Sequence, residues 1–295
     1  MKDIIHEAIK KKGFFFIAEI GQNHQGDVET FKKLIDMAKR CGADGVKSAK
    51  RTLANLPAEL GDMPYLNSNS FGRTYREHRE ALELSFDELV DVRTYALSKG
   101  LAFGMSYTDY NSLLEISTLG LDFVKVPSSQ ITDTDSLAFA GEMNIPVVVS
   151  TGMSTEKDID NAVGVLDGAR NITLDGLHYY LMQCTSCYPC SESDLNLNCI
   201  PYMQKYYGPR IGFSGHHMGI DADMVARNMG AQVFERHITL SRGMRGTDHV
   251  MSLEEYGLAR LIRNLSRYKA MLGTAEKKVL DCEKAAMERL RWKKN

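Results

Sequence analysis

Phe14-Phe-Phe-Ile-Ala-Glu19, followed by residues 31–41 with Phe31, Leu34, Ile35 and Ala38 at helical spacing, is the stretch on which the fold turns. A short run that is apolar at nearly every position suits a strand buried on both faces, and the periodic run behind it suits a helix laid against that strand. The pairing recurs along the chain. Gly45-Val-Lys47 precedes a helical pattern over 86–99, residues 101–106 one over 111–119, and Phe123-Val-Lys-Val126 one over 136–144. Pro146-Val-Val-Val-Ser150, 179–184, 210–214 and 232–237 read as further strands, with helices near 195–206, 222–228 and 253–269. Eight strands alternating with helices give a parallel sheet, and eight such units suit closure into a (β/α)8 barrel. An open doubly wound sheet is the alternative, although no G-x-G-x-x-G follows the first strand.

The chain has 295 residues, 43% hydrophobic and 25% charged, with a formal charge of −2. One barrel of about 250 residues fits that length, with residues 1–270 as the barrel and 271–295 as a helical tail. No basic excess exists to neutralise a nucleic-acid backbone. No apolar run approaches the roughly 20 residues of a membrane span, and residues 1–12 lack the apolar core of a signal peptide. Six scattered cysteines suit a reducing, cytoplasmic setting.

Chemistry in such barrels collects where the strands end, and these ends are polar: Glu19 and Asn23, Lys47, Ser106, Lys125 and Ser128, Ser150, Cys184 to Tyr188, Ser214 and His216, Glu235 and His237. Any one of them is unremarkable at a solvent-facing strand end; all eight ends being polar points to a shared site. Lys47 and Lys125 with a ring of hydroxyls suit a small, multiply anionic substrate. His216 and His237 close neighbouring strands and can bring two imidazoles to one metal, or each be a hydrogen-bonded structural histidine, as His217 and His249 nearby also suggest. Cys184-Thr-Ser-Cys187-Tyr-Pro-Cys190 has the C-x2-C spacing that can mark zinc or redox chemistry. A fourth ligand at matching spacing is absent, Pro189 sits inside the run and alternate residues diverge, all of which weigh against such a centre. Residues 50–80 form a long loop, and long loops are more often functional than idle.

Several motifs resemble those of the sialic acid (N-acetylneuraminate) synthase family: Phe15-Phe-Ile-Ala-Glu-Ile-Gly-Gln-Asn-His-Gln-Gly26, Gly42-Ala-Asp-Gly-Val-Lys47, Ser150-Thr-Gly-Met153, Cys184-Thr-Ser-Cys-Tyr-Pro189, Gly212-Phe-Ser-Gly-His216, Gly230-Ala-Gln-Val-Phe-Glu-Arg-His237, Gly246-Thr-Asp-His249 and Ser252-Leu-Glu254. They run in family order from residue 14 to about 260. The resemblance implies a cytoplasmic transferase of cell-surface carbohydrate biosynthesis. It condenses phosphoenolpyruvate with an open-chain sugar aldehyde, releasing phosphate and leaving a 3-deoxy-2-keto sugar acid. By the same resemblance Lys47, Lys125, Ser106, Ser128, Ser150 and Ser214 hold phosphoenolpyruvate. His216 and His237 hold a divalent metal, usually manganese, and Glu19, Ser186, Tyr188 and Asp248 surround the sugar and the reacting carbons.

Three departures bear on the sugar. Ser48 and Ala49 follow Lys47 where the family commonly has Phe-Gln, Ser186 replaces a frequent Asn, and the chain stops where many members continue into an antifreeze-like domain that completes the site of a dimeric partner. Residues 276–294 read as a charged helix resembling the family linker. The expected assembly is a homo-oligomer, with a separate antifreeze-like protein as a conceivable partner and residues 51–79, carrying Tyr65, Arg73, Tyr75 and Arg76, as the substitute lid. A related octulosonate- or heptulosonate-phosphate type of synthase, and a non-catalytic sugar-binding barrel, are the competing readings.

Overall fold

A computed structural model describes residues 3–169 and 179–291. Eight parallel strands close into a barrel in chain order: β1 (Phe15–Gly21), β2 (Gly45–Lys50), β3 (Ala102–Tyr107), β4 (Phe123–Val126), β5 (Val147–Ser150), β6 (Tyr179–Cys184), β7 (Ile211–Gly215) and β8 (Val233–His237). Strand β1 pairs with β2 on one side and β8 on the other, so no edge remains open. The helices are α1 (Ile4–Lys12), α2 (Val28–Cys41), α3 (Ala58–Gly61), α4 (Tyr75–Glu80), α5 (Phe86–Ser98), α6 (Tyr110–Ser117), α7 (Thr134–Glu142), α8 (Glu156–Gly168), α9 (Cys199–Tyr207), α10 (Asp221–Asn228), α11 (Glu255–Leu272) and α12 (Lys284–Leu290). The open doubly wound alternative is thereby excluded.

The double-sided apolar run of β1 has a simple use. Phe14, Phe16, Ala18 and Ile20 face the layer between barrel and helices, where Phe31, Leu34, Ile35 and Ala38 of α2 meet them. Phe15 and Ile17 point the other way, into the barrel, with Phe123, Val148, Tyr180, Met182 and Val233. Side chains alternate along a strand, so one sequence run fills two cores. Gly104 of β3 makes room for the inner layer: a Cβ there would stand 2.3 Å from the Phe123 ring.

Three helices were not expected from the sequence: α3 and α4 fold inside the long loop, and α1 precedes the first strand. Helix α1 closes the N-terminal end of the barrel, with Ile5 buried among the inner residues and Ala8 and Ile9 packed alongside. Asp3 caps it, accepting from the His6 N–H at 2.9 Å. The Lys10-Lys11-Lys12 run hides the signal because its charges sit in the last turn, where cations favour the helix dipole. Two expected helices shrink. The pattern over 195–206 becomes helical only from Cys199, since Pro201 is tolerated in a first turn and not further in. The charged tail over 276–294 is α-helical only at Lys284–Leu290; it buries no side chain that would hold more, and residues 292–295 lie outside those described. The helix behind β5, which the sequence reading did not locate, is α8.

Candidate active site

The upper ends of the strands enclose a cavity of about 370 Å³ that brings together Glu19, Lys47, Ser106, Lys125, Ser128, Ser150, Tyr188, Ser214, His216, His237 and Asp248. Of the expected site residues, Ser186 alone is absent from the lining. Its Oγ is buried without a hydrogen bond behind Gly152, where a Cβ would lie 2.5 Å from it and 2.7 Å from Ser128 Oγ. Ala49 does line the cavity, two residues beyond Lys47 on the same face of β2.

At the floor of this cavity four buried charges alternate in sign. Lys47 Nζ pairs with Glu19 and donates to Ser106 Oγ at 2.8 Å. Lys125 Nζ donates to Ser150 Oγ at 2.6 Å and stands 3.8 Å from Glu235 Oε1. Glu235 also lies 4.0 Å from Lys47 and accepts from Ser214 Oγ at 3.0 Å. An isolated buried charge costs several kcal/mol, so neutralising neighbours of this kind are what allow two lysines to sit 3–4% exposed. Both keep donor capacity toward the cavity, since an ammonium has three N–H groups. Ser106 and Ser150 each accept from a lysine, which leaves their O–H hydrogens free to donate to an anion.

The environment separates the two carboxylates. Burial pushes Glu19 up to about 7, with Glu235 adding repulsion and Lys47 opposing it. Burial works on Glu235 in the same direction, but Lys125, Lys47 and His237 outweigh it and hold the group down to about 2. Glu235 is thus a fixed anion between two cations. The sequence reading named it only as a polar strand end and gave it no role. Its signal was the spacing Val233, Glu235, His237, which sets all three on one face of β8.

His216 and His237 approach to 5.5 Å between ring centres. Nδ1 of His216 lies 3.1 Å from the Thr185 carbonyl, which can only accept, so Nδ1 carries the hydrogen and Nε2 is left with its lone pair. Nδ1 of His237 is buried, makes no hydrogen bond and stands 3.8 Å from Asp248 Oδ2. Burial holds this ring largely neutral, lowered to about 3. Burial works against the charged form of His216, but Cys184 and the Thr185 carbonyl outweigh it and raise this ring above the usual imidazole value. Each imidazole thus offers a nitrogen to a borderline divalent ion in its deprotonated form. Among the described residues no group of three or more His, Cys, Asp or Glu side chains converges as ligands, so the protein would contribute two nitrogens and leave the other positions to water or substrate.

The remaining candidates separate cleanly. His217 Nε2 lies 3.1 Å from Arg236 Nη1, and His249 Nδ1 lies 2.7 Å from Thr239 Oγ1; both are structural. Cys184 lines the cavity with its Sγ 4.0 Å from His216 Nδ1, whereas Cys187 is exposed and Cys190 packs into the outer core. Of the long loop, Tyr65 and Tyr75 pack on His78, and Arg76 donates to the Leu53 and Leu56 carbonyls. Tyr65, Tyr75 and Arg76, three of the residues named for a lid, are therefore spent inside the loop. Its two ends, Arg51 and Arg79, reach the cavity instead, with Gln22 beside them.

Known proteins resemble this chain in sequence and fold. The chain is 37% identical over 281 residues to the human N-acetylneuraminate-9-phosphate synthase, covering 94% of this chain and 76% of that one. It is 32% identical to the N,N'-diacetyllegionaminic acid synthase of Legionella pneumophila, covering 91% of this chain and 76% of the relative. The crystal structure of the N-acetylneuraminic acid synthetase of Leptospira borgpetersenii superposes with a TM-score of 0.78 at 25% identity, covering 94% of this chain and 90% of that one. No described helix is long and apolar enough to cross a membrane. The sequence profile of the NeuB family matches residues 34–277, and with that match the chain belongs to the NeuB family, as a phosphoenolpyruvate-condensing transferase of the sialic acid synthase kind.

Proposed function

We propose that the cavity joins C3 of phosphoenolpyruvate to the aldehyde carbon of an open-chain sugar, with Lys47 and Lys125 holding the first substrate and the histidine side of the cavity facing the second. The observation that carries this reading is the alternating array Glu19, Lys47, Glu235, Lys125 at the closed floor of the barrel. Phosphoenolpyruvate brings a carboxylate and a phosphate. Two ammonium groups and the freed hydroxyls of Ser106 and Ser150 match that charge pattern and fix the molecule in one attack geometry. Ser128, beside Cys184 at 3.7 Å, is placed to add a further donor.

The nucleophile belongs to the substrate, so the protein supplies no covalent step. The new C–C bond leaves a cation at C2, which the fixed carboxylate of Glu235 stabilises through space. Water adds to C2, and its proton passes by way of Glu19 to the alkoxide left on the former aldehyde carbon. Collapse of the adduct to the ketone expels phosphate, which carries away the proton of the C2 hydroxyl. A divalent ion held by His216 and His237, manganese by resemblance to the family, supplies Lewis-acid polarisation of the sugar aldehyde. Tyr188, whose ring centre is 4.1 Å from that of His216, and Asp248 border the sugar. Ala49 offers no hydrogen bond where a Gln amide is common, which favours an acceptor other than N-acetylmannosamine.

The test is phosphate release from phosphoenolpyruvate with a panel of aldoses, with unmodified and differently acylated hexoses competing against N-acetylmannosamine. Turnover with an aldose and none without it supports the synthase; binding without turnover for every aldose supports the non-catalytic barrel instead.

A further inference from the structure

The positive charge of this chain is concentrated in one part of the sequence. Residues 256–295 carry eleven Lys and Arg against four Asp and Glu, whereas the preceding 255 residues carry 25 against 34. Helix α11 displays part of that excess. Tyr256, Arg260, Arg263 and Arg267 recur at helical spacing on one exposed face, while Leu258, Leu261, Ile262 and Leu265 on the opposite face are buried in the outer core. At 1.5 Å per residue the exposed stripe from Tyr256 to Met271 is roughly 22 Å long.

The three arginines have no work within the fold. Arg40, on the neighbouring helix α2, is held by both carboxylate oxygens of Glu255 at 2.9 and 3.0 Å. Among the described residues Arg260, Arg263 and Arg267 have neither an ion pair nor a side-chain hydrogen bond. Apolar side chains flank them. Tyr256 and Met271, at the two ends of the stripe, are 79% and 66% exposed, and Leu272, Leu280 and Leu290 beyond it are exposed as well. A lone exposed cation or apolar residue is ordinary. A straight cationic row with apolar ends, on a chain otherwise acidic, is a surface with a preferred partner.

We infer that this face of α11 docks on an anionic phospholipid surface, with Arg260, Arg263 and Arg267 at the phosphate oxygens and Tyr256 and Met271 entering the headgroup–acyl boundary. Three properties select lipid over other polyanions. The row is straight and lies on a convex helix face, so it meets a plane and not a groove. Guanidiniums take phosphate oxygens bidentately. The exposed apolar ends gain free energy at an acyl boundary, which neither an acidic peptide nor a nucleic-acid backbone offers. The acidic remainder of the chain is repelled by the same surface, which turns the barrel away from it. None of these residues lines the cavity, so the inference is independent of the synthase reading.

Sedimentation of the full chain with vesicles tests it, using phosphatidylcholine alone and phosphatidylcholine with an equal part of phosphatidylglycerol. We expect at least tenfold tighter binding to the anionic vesicles, weakening as salt is added. Each arginine at such a surface contributes about fivefold to partitioning. The Arg260→Gln, Arg263→Gln, Arg267→Gln variant should therefore lose at least tenfold, while Arg260→Lys, Arg263→Lys, Arg267→Lys keeps most of the affinity. Tyr256→Ser with Met271→Ser should weaken binding and leave its salt dependence as it is. An unchanged urea midpoint establishes that each variant is folded. Equal affinity for the two kinds of vesicle overturns the inference, and so does parental affinity in the Gln variant or in the Tyr256, Met271 variant. Equally tight binding to polyglutamate or duplex DNA at the same charge concentration also overturns it, in favour of an acidic macromolecule. Pelleting without vesicles does so in favour of a second copy of this chain.

Discussion

Lys125 on β4 donates to Ser150 on β5 at 2.6 Å, a hydrogen bond between adjacent strands that leaves the serine hydrogen free to donate elsewhere. An ammonium that is already desolvated and oriented holds an anion in the ground state as well as during reaction. Replacing Lys125 by Met removes a charge-assisted hydrogen bond worth about 1.5–3 kcal/mol and leaves Glu235 short of a partner. Affinity for phosphoenolpyruvate should drop at least tenfold by calorimetric titration; an unchanged affinity contradicts the assignment.

The two imidazoles make metal dependence testable without reference to rate. The His216→Ala, His237→Ala double variant should lose saturable binding of manganese in a titration followed by water-proton relaxation, while the parent binds one ion. Exhaustive chelation of the parent should abolish turnover, and added divalent ion should restore it. Full turnover after chelation removes the metal from the scheme.

Arg236 lies between Glu235 and His237 but faces outward, wholly buried against Asp223 of α10, with Nη2 donating to the His217 and Gly219 carbonyls at 2.8 and 3.0 Å. Asp223→Asn leaves that guanidinium without its counter-charge. Breaking a buried pair by removing one partner costs about 3–5 kcal/mol, so the urea midpoint should fall by a corresponding amount. A loss below about 1 kcal/mol is incompatible with this pair anchoring the outer face of β8.

His24 is buried against Phe31, its Nδ1 accepting from the Gly26 N–H at 3.1 Å, and burial lowers it from 6.5 to about 4. The unfolded chain takes up a proton near pH 6.5 that the folded chain takes up only near 4. Stability through this group therefore falls as pH drops across that window and is level above it. His24→Asn keeps an acceptor and removes the titration. Between pH 6.5 and 4 the parent should lose up to about 3 kcal/mol more than the variant; parallel stability curves rule the effect out.

Cys187 is exposed and Cys190 sits in the outer core, away from the cavity. The Cys187→Ser, Cys190→Ser variant should keep the parent's kcat/KM and bound-metal content. Zinc or iron lost stoichiometrically on substitution reverses that expectation.

Much of this molecule was legible in one dimension because strand and helix periods are local. The run Phe14 to Glu19 and the pattern Phe31, Leu34, Ile35, Ala38 carry their own geometry, and the polar residue ending each strand follows from where parallel strands must stop. Helix α1 was not legible, since a single buried Ile5 amid charges gives no periodic stripe; only the open end of a closed barrel makes it a plug. The pairing of Glu235 with both lysines was hidden as well. Those residues are 110 and 188 positions apart, and only barrel closure and inward alternation set them within 4.0 Å. The long loop shows the division best. Its length announced a role, but sequence could not say which of its cations face substrate, because that depends on which side chains the loop spends on its own folding. Arg76 is consumed by the Leu53 and Leu56 carbonyls, and Arg51 and Arg79 are left to face the cavity. Local propensity thus determined the elements and their order, while the long-range contacts of the closed barrel decided which charges meet.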